Sequence, residues 1–172
     1  IAFVICKKES LNKIKNIKKR SYYLDLFDQY SYLEKNGQMR FTPPVQTFYA
    51  LRKAIDEHFE EGEASKYKRY EKNWRILRSG LISLGFKLLI DLENESKILL
   101  TIIEPTNIQY NFNQLHDIIY KEGFTIYPGK LKNNNNTFRL SVMGDIDSND
   151  INNFLSCMKT TLIKMGIKKI KY

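Results

Sequence analysis

At 172 residues the chain is long enough for one ordinary domain with a real core, and a hydrophobic fraction of 42% with 11 Tyr, 10 Phe and 1 Trp excludes a disordered polymer. No apolar run approaches the roughly 20 residues of a membrane-spanning helix. The net charge of +9 gathers in Lys7 and Lys8, residues 13–20 and residues 164–171. It reads as solvated basic faces, because no motif interleaves aromatic and basic residues as RNA-binding surfaces do.

In chain order, residues 2–7 form a short apolar, β-branched run that predicts a strand. The run is too short for a signal peptide, and the absence of an initiating Met suggests a chain cut from something longer. Leu11, Ile14 and Ile17 predict a short basic helix. Residues 21–37 are mixed and predict a linker closed by Gly37. Thr42, Pro43 and Pro44 predict a helix start, since a Thr hydroxyl can cap a first turn and Pro costs nothing there. Phe48, Leu51, Ile55 and Phe59 continue that helix towards Gly62.

A longer helix follows, with Tyr67, Tyr70, Trp74, Leu77, Leu81 and Leu84 stepping by three and four as a core face does. Gly85 closes it. Residues 86–90 and 98–103 then predict strands, and Glu104-Pro105 stops the second. Phe112, Leu115 and Ile119 mark a helix ended by Gly123. Residues 124–127 predict a strand, Pro128-Gly129 a turn, residues 133–136 a flexible polar loop and residues 137–143 another strand. Asp147 or Ser148 caps a last helix whose buried face is Ile151, Phe154, Leu155, Met158, Leu162 and Met165. The order predicts an α+β fold, with helices packed on one face of a small, mostly antiparallel sheet.

Chemistry-bearing residues are few. Cys6 and Cys157 lie far apart in apolar surroundings and predict reduced, buried thiols. His58 and His116 fall in predicted helices without ligand spacing. Arg139 lies mid-strand between Phe138 and Leu140. Alternation turns it to the opposite face, where its planar fork would match a carboxylate; an outward-facing structural Arg is the alternative. Thr42, at a helix N-terminus beside Arg40, could receive a phosphate or simply cap.

Four stretches, in two pairs, bear on these readings. Ser21-Tyr22-Tyr23-Leu24-Asp25-Leu26-Phe27 leads into Arg40-Phe41-Thr42-Pro43-Pro44, and Tyr127-Pro128-Gly129-Lys130 leads into Thr137-Phe138-Arg139. In this order the chain resembles the carboxy-terminal part of a class V, pyridoxal-phosphate-dependent aminotransferase. Within that class it resembles the branch that moves the amino group of 2-aminoethylphosphonate to pyruvate, giving phosphonoacetaldehyde and L-alanine.

The resemblance implies a fold-type I (aspartate aminotransferase-like) enzyme. Residues 1–62 would be the tail of its large cofactor-binding domain with the interdomain helix, and residues 63–172 the small C-terminal domain. It implies that Arg139 holds the substrate carboxylate. Thr42, from the neighbouring subunit of a homodimer, contacts the phosphate of pyridoxal 5′-phosphate. Tyr127 lies near the substrate entrance; Lys130 carries no assigned role. The Schiff-base lysine of the class would precede residue 1, so the chain alone is expected to be inactive and the whole enzyme cytoplasmic. After Arg139 the sequence Leu140-Ser141-Val142-Met143-Gly144 lacks a second glycine usual in the branch. The alternatives are an alanine–glyoxylate or serine–pyruvate aminotransferase, a non-catalytic interaction module and a nucleic-acid-binding domain.

Overall fold

The computed structural model describes residues 1–129 and 136–172. Lys130 and residues 133–135 of the predicted polar loop lie outside the described residues. The chain divides into two compact units, Ile1–Glu60 and Glu61–Tyr172.

Unit 1 carries α1 (Lys8–Ile14), α2 (Leu26–Asn36) and all but the last residue of α3 (Val45–Glu61). Residues 1–6 form no strand and are exposed, Ile5 at 88%. A strand exists only against a hydrogen-bonding neighbour, and no described segment pairs with this one. Cys6 is therefore exposed rather than buried, and Cys157 is half-buried; both are free thiols. Residues 26–36, expected as linker, are helical. The Asp25 carboxylate accepts the Asp28 N–H at 2.8 Å, and Gly37, at φ 63°, supplies the left-handed residue that ends the helix.

Unit 2 begins with α4 (Glu63–Ser83) and a short 3-10 turn (Leu92–Asn94). Then come β1 (Leu99–Ile103), α5 (Phe112–Lys121), β2 (Tyr127–Pro128), β3 (Thr137–Ser141) and α6 (Ser148–Lys164). α4 buries Trp74, Leu77 and Leu81, as its period requires. Gly85 follows at φ 95°, where Phe86 N–H reaches back to the Leu81 carbonyl. α6 opens on a capping box: Asp147 accepts the Asp150 N–H, and Asp150 accepts the Asp147 N–H.

The sheet is antiparallel throughout, in the order β1-β3-β2. Residues 86–90 make only one bridge, Leu88 with Ile102, so this predicted strand is reduced to a contact along β1. Of the strand predicted over 124–127 only Tyr127 is in a strand, which continues into Pro128, expected as the start of a turn. Leu100, Ile102, Phe138 and Leu140 share the buried face and join one core with side chains of α4, α5 and α6. Phe138 meets Phe86 edge-on at 5.7 Å. Leu155 of α6 fills the notch left by Gly80 of α4, where a Cβ would stand 2.3 Å from its methyl. Helices thus cover one face, and the other carries Thr101, Arg139 and Ser141.

Candidate functional site

Arg139 sits at the centre of that open face. β3 is the middle strand, and the register sets Arg139 opposite Thr101 of β1 on one side and Tyr127 of β2 on the other. Directly opposed residues of antiparallel strands project to the same face, with Cβ atoms roughly 4.5–5.5 Å apart. A hydroxyl, a guanidinium and a phenol therefore form a row across three strands. Arg139 is half-buried, and its Nε is buried without a hydrogen-bond partner among the described residues. A buried N–H lacking an acceptor is costly, so the Nε of Arg139 stands out among the polar groups of unit 2.

The hairpin between β2 and β3 is held by small parts. The Gly129 N–H donates to the Thr137 carbonyl at 2.6 Å. A Cβ on Gly129 would lie 2.0 Å from Thr137 Oγ1, so the Tyr127-Pro128-Gly129 and Thr137-Phe138-Arg139 motifs are one interlocked element. Beyond β3, Arg69 of α4 fastens residues 144–146. It donates to the Gly144 carbonyl at 2.7 Å and the Ile146 carbonyl at 3.2 Å while gripping Glu61 with two bonds. Asn73 adds a bond to the Ile146 carbonyl at 2.8 Å. Neither Arg69 nor Asn73 was flagged by the sequence, where they appear only as polar flanks of an aromatic stripe.

Thr42 lies in unit 1, exposed, three residues before α3 begins. Its hydroxyl bonds to no described residue, so it does not cap; the Val45 N–H turns instead to the Pro43 carbonyl at 2.9 Å. Arg40 is committed elsewhere. It donates to the Tyr22 carbonyl at 2.8 Å, pairs with Asp28 at 3.3 Å and lies over the rings of Tyr22 and Phe41. The Asp28 carboxyl is held below the usual carboxylate range by its hydrogen bond from Lys19, with the charge of Arg40 adding to it. Arg40 is thus an internal clasp, and the phosphate-receiving feature reduces to the free Thr42 hydroxyl.

Each unit thus carries its own unpartnered polar group, the Thr42 hydroxyl in unit 1 and the Arg139 Nε in unit 2. Among the described residues no cluster of three or more His, Cys, Asp or Glu could hold a metal. His58 and His116 lie in α3 and α5.

The architecture is that of the carboxy-terminal region of the fold-type I, class V aminotransferases. Pyridoxamine–pyruvate aminotransferase from Mesorhizobium loti superposes with a TM-score of 0.80 at 17% identity, over 95% of this chain and 42% of that one. Alanine–glyoxylate aminotransferase from Nostoc sp. gives 0.77 at 19% identity, over 91% and 42%. Pyridoxal 5′-phosphate is the cofactor expected of that class.

In sequence the chain is similar to part of the 2-aminoethylphosphonate–pyruvate transaminases. That of Cupriavidus pinatubonensis is 36% identical over 168 residues, which is 97% of this chain and 44% of the relative. The chain therefore spans less than half the length of the curated relatives it matches. No family model matches it.

Proposed function

We propose that this chain is the C-terminal part of a transaminase that moves the amino group of 2-aminoethylphosphonate to pyruvate. The products are phosphonoacetaldehyde and L-alanine. The observation that carries the reading is the buried, partnerless Nε of Arg139 on the open face of the sheet. The names of the relatives supply the substrate pair.

Arg139 holds the carboxylate of pyruvate or alanine through two parallel N–H···O contacts, and the phosphonate in the other half-reaction. Thr42 gives its hydroxyl to the phosphate of pyridoxal 5′-phosphate in the neighbouring subunit of a homodimer. The cofactor supplies the electron sink when bound. Residues 1–62 belong to the large domain and residues 63–172 to the small one, and the enzyme works in the cytoplasm. In this reading none of the lysines described here is assigned to carry the cofactor, and the chain alone is expected not to transaminate. Borohydride treatment with pyridoxal phosphate should leave no single preferred lysine adduct.

The test is Arg139→Ala in the full-length enzyme. Hydrogen bonds to charged groups carry about 1.5–3 kcal/mol, so the specificity constant for pyruvate should fall at least about tenfold. Arg139→Lys should not restore it, since an ammonium lacks the planar fork. Both half-reactions near wild type, or a variant that only unfolds in a parallel melt, would make Arg139 structural.

A further inference from the structure

Arg139 must serve two different anions if the proposed function holds, and the inference here rests on that reading. A carboxylate is planar with two oxygens. A phosphonate is tetrahedral with three. One edge of a guanidinium presents two parallel N–H groups in a plane, which satisfies two oxygens of either anion and leaves the third phosphonate oxygen out of that plane. Some other donor must meet it, or it stays in water.

The row across the sheet offers two candidates. Tyr127 stands on a two-residue edge strand and is 63% exposed. Thr101 is half-buried, and its backbone is held from both sides. β3 pairs with it through the Arg139 register, and the Leu89 N–H donates to the Thr101 carbonyl at 2.9 Å. Its β-branched side chain has few rotamers. Its hydroxyl bonds to no described residue.

We propose that Thr101 is the specificity residue for the phosphonate, its hydroxyl donating to the oxygen that the Arg139 fork leaves out. The carboxylate substrates do not use it. The row Thr101–Arg139 is then a three-donor seat for a tetrahedral oxyanion and a two-donor seat for a planar one.

Thr101→Val removes the hydroxyl at nearly constant shape. In the full-length enzyme the half-reaction with 2-aminoethylphosphonate should slow about tenfold in its specificity constant, the loss of one hydrogen bond to an anion. The half-reaction with alanine or pyruvate should stay within about twofold. Thr101→Ser should keep both. A readout without turnover uses simple anions: methylphosphonate should bind the Val variant about tenfold more weakly, with acetate unchanged.

Equal losses for both anions would make Thr101 a support of the strand and overturn the proposal, as would no loss for methylphosphonate. Arg139→Ala run alongside separates the two claims. Loss there in both half-reactions, without a phosphonate-selective loss at Thr101, overturns the Thr101 role alone. No loss at Arg139 overturns the reading beneath it, and this inference with it.

Discussion

Among the described residues, every member of the core cluster belongs to unit 2, from Trp74 to Ile167, while unit 1 buries the side chain of Leu11 alone. Yet unit 1 is not polar. Phe3, Ile5, Tyr22, Tyr23, Leu24, Tyr49 and Phe59 all lie largely exposed, and neither α2 nor α3 buries a residue. Its order comes from local devices: the Asp25 cap, the Arg40 clasp and the Tyr–Phe contacts around Phe41. Such devices are each small, whereas burial of large side chains dominates stability. Unit 2 closes its own core, and unit 1 does not.

The largest effect tests that difference directly. Residues 61–172 expressed alone should melt cooperatively, and residues 1–60 alone should not. Within the chain, Phe138→Ala removes a fully buried ring at the centre of the sheet and should cost about 3–5 kcal/mol. Phe59→Ala, at a ring 76% exposed, should change stability by no more than about 0.5 kcal/mol. Denaturant titration gives both values. Comparable losses at the two positions would erase the distinction between the units.

A second, intermediate effect asks how far the close packing of unit 2 reaches towards the candidate site. Gly129→Ala would place a methyl 2.0 Å from Thr137 Oγ1 and 2.8 Å from the Thr137 carbonyl oxygen. The hairpin must shift, at about 1–3 kcal/mol. Thr137→Ala removes the nearer of the two atoms, so the double variant should recover part of the loss in a mutant cycle. Additive losses would mean that the two positions do not meet.

How much of this was legible follows the same division. In unit 2 the helices could be read because period, caps and glycines agree: the α4 stripe, Gly85 and the Asp147 cap each point to one answer. The face of Arg139 followed from alternation alone. What it faces did not, because register across the order β1-β3-β2 is set by tertiary pairing and not by either strand's own pattern. Thr101 therefore passed as one polar residue in an apolar run. In unit 1 the reading failed where structure depends on a neighbour. Residues 1–6 have strand composition and pair with no strand among the described residues. Arg40 looked free beside Thr42, and is taken by a carbonyl 18 residues earlier. The α2 helix could have been found, since Asp25 precedes its first turn with Gly37 behind it.

The smallest expected effect concerns charge, where Glu104 of unit 2 differs in sign from the lowered carboxylates of both units, Asp28, Glu61, Glu71 and Asp147. The Asp28 carboxyl of unit 1, lowered by Lys19 and Arg40, stabilises the fold above the usual carboxylate range and loses that effect as pH falls. Glu104 of unit 2 has the opposite sign. Burial raises its carboxyl above the ordinary value, and the buried Tyr110 phenol nearby, itself pushed up by desolvation and then by Glu104, offers it no hydrogen bond. At neutral pH the ionised Glu104 therefore costs stability. The cost is relieved as pH falls through the raised folded value towards the unfolded one. Glu104→Gln should raise the Tm at pH 7.5 by about 1–3 °C, a modest figure because the group is partly solvated. The gain should shrink to nothing near pH 4. Glu61, lowered chiefly by its hydrogen bond from Arg69, loses stabilisation over the same acid range in both proteins and cancels in the difference. Thermal melts of the pair from pH 4 to 8 decide it. A Gln variant less stable at pH 7.5, or a gain that grows on acidification, would mean that Glu104 is held by a favourable partner and that unit 2 closes over its charges as well as its apolar core.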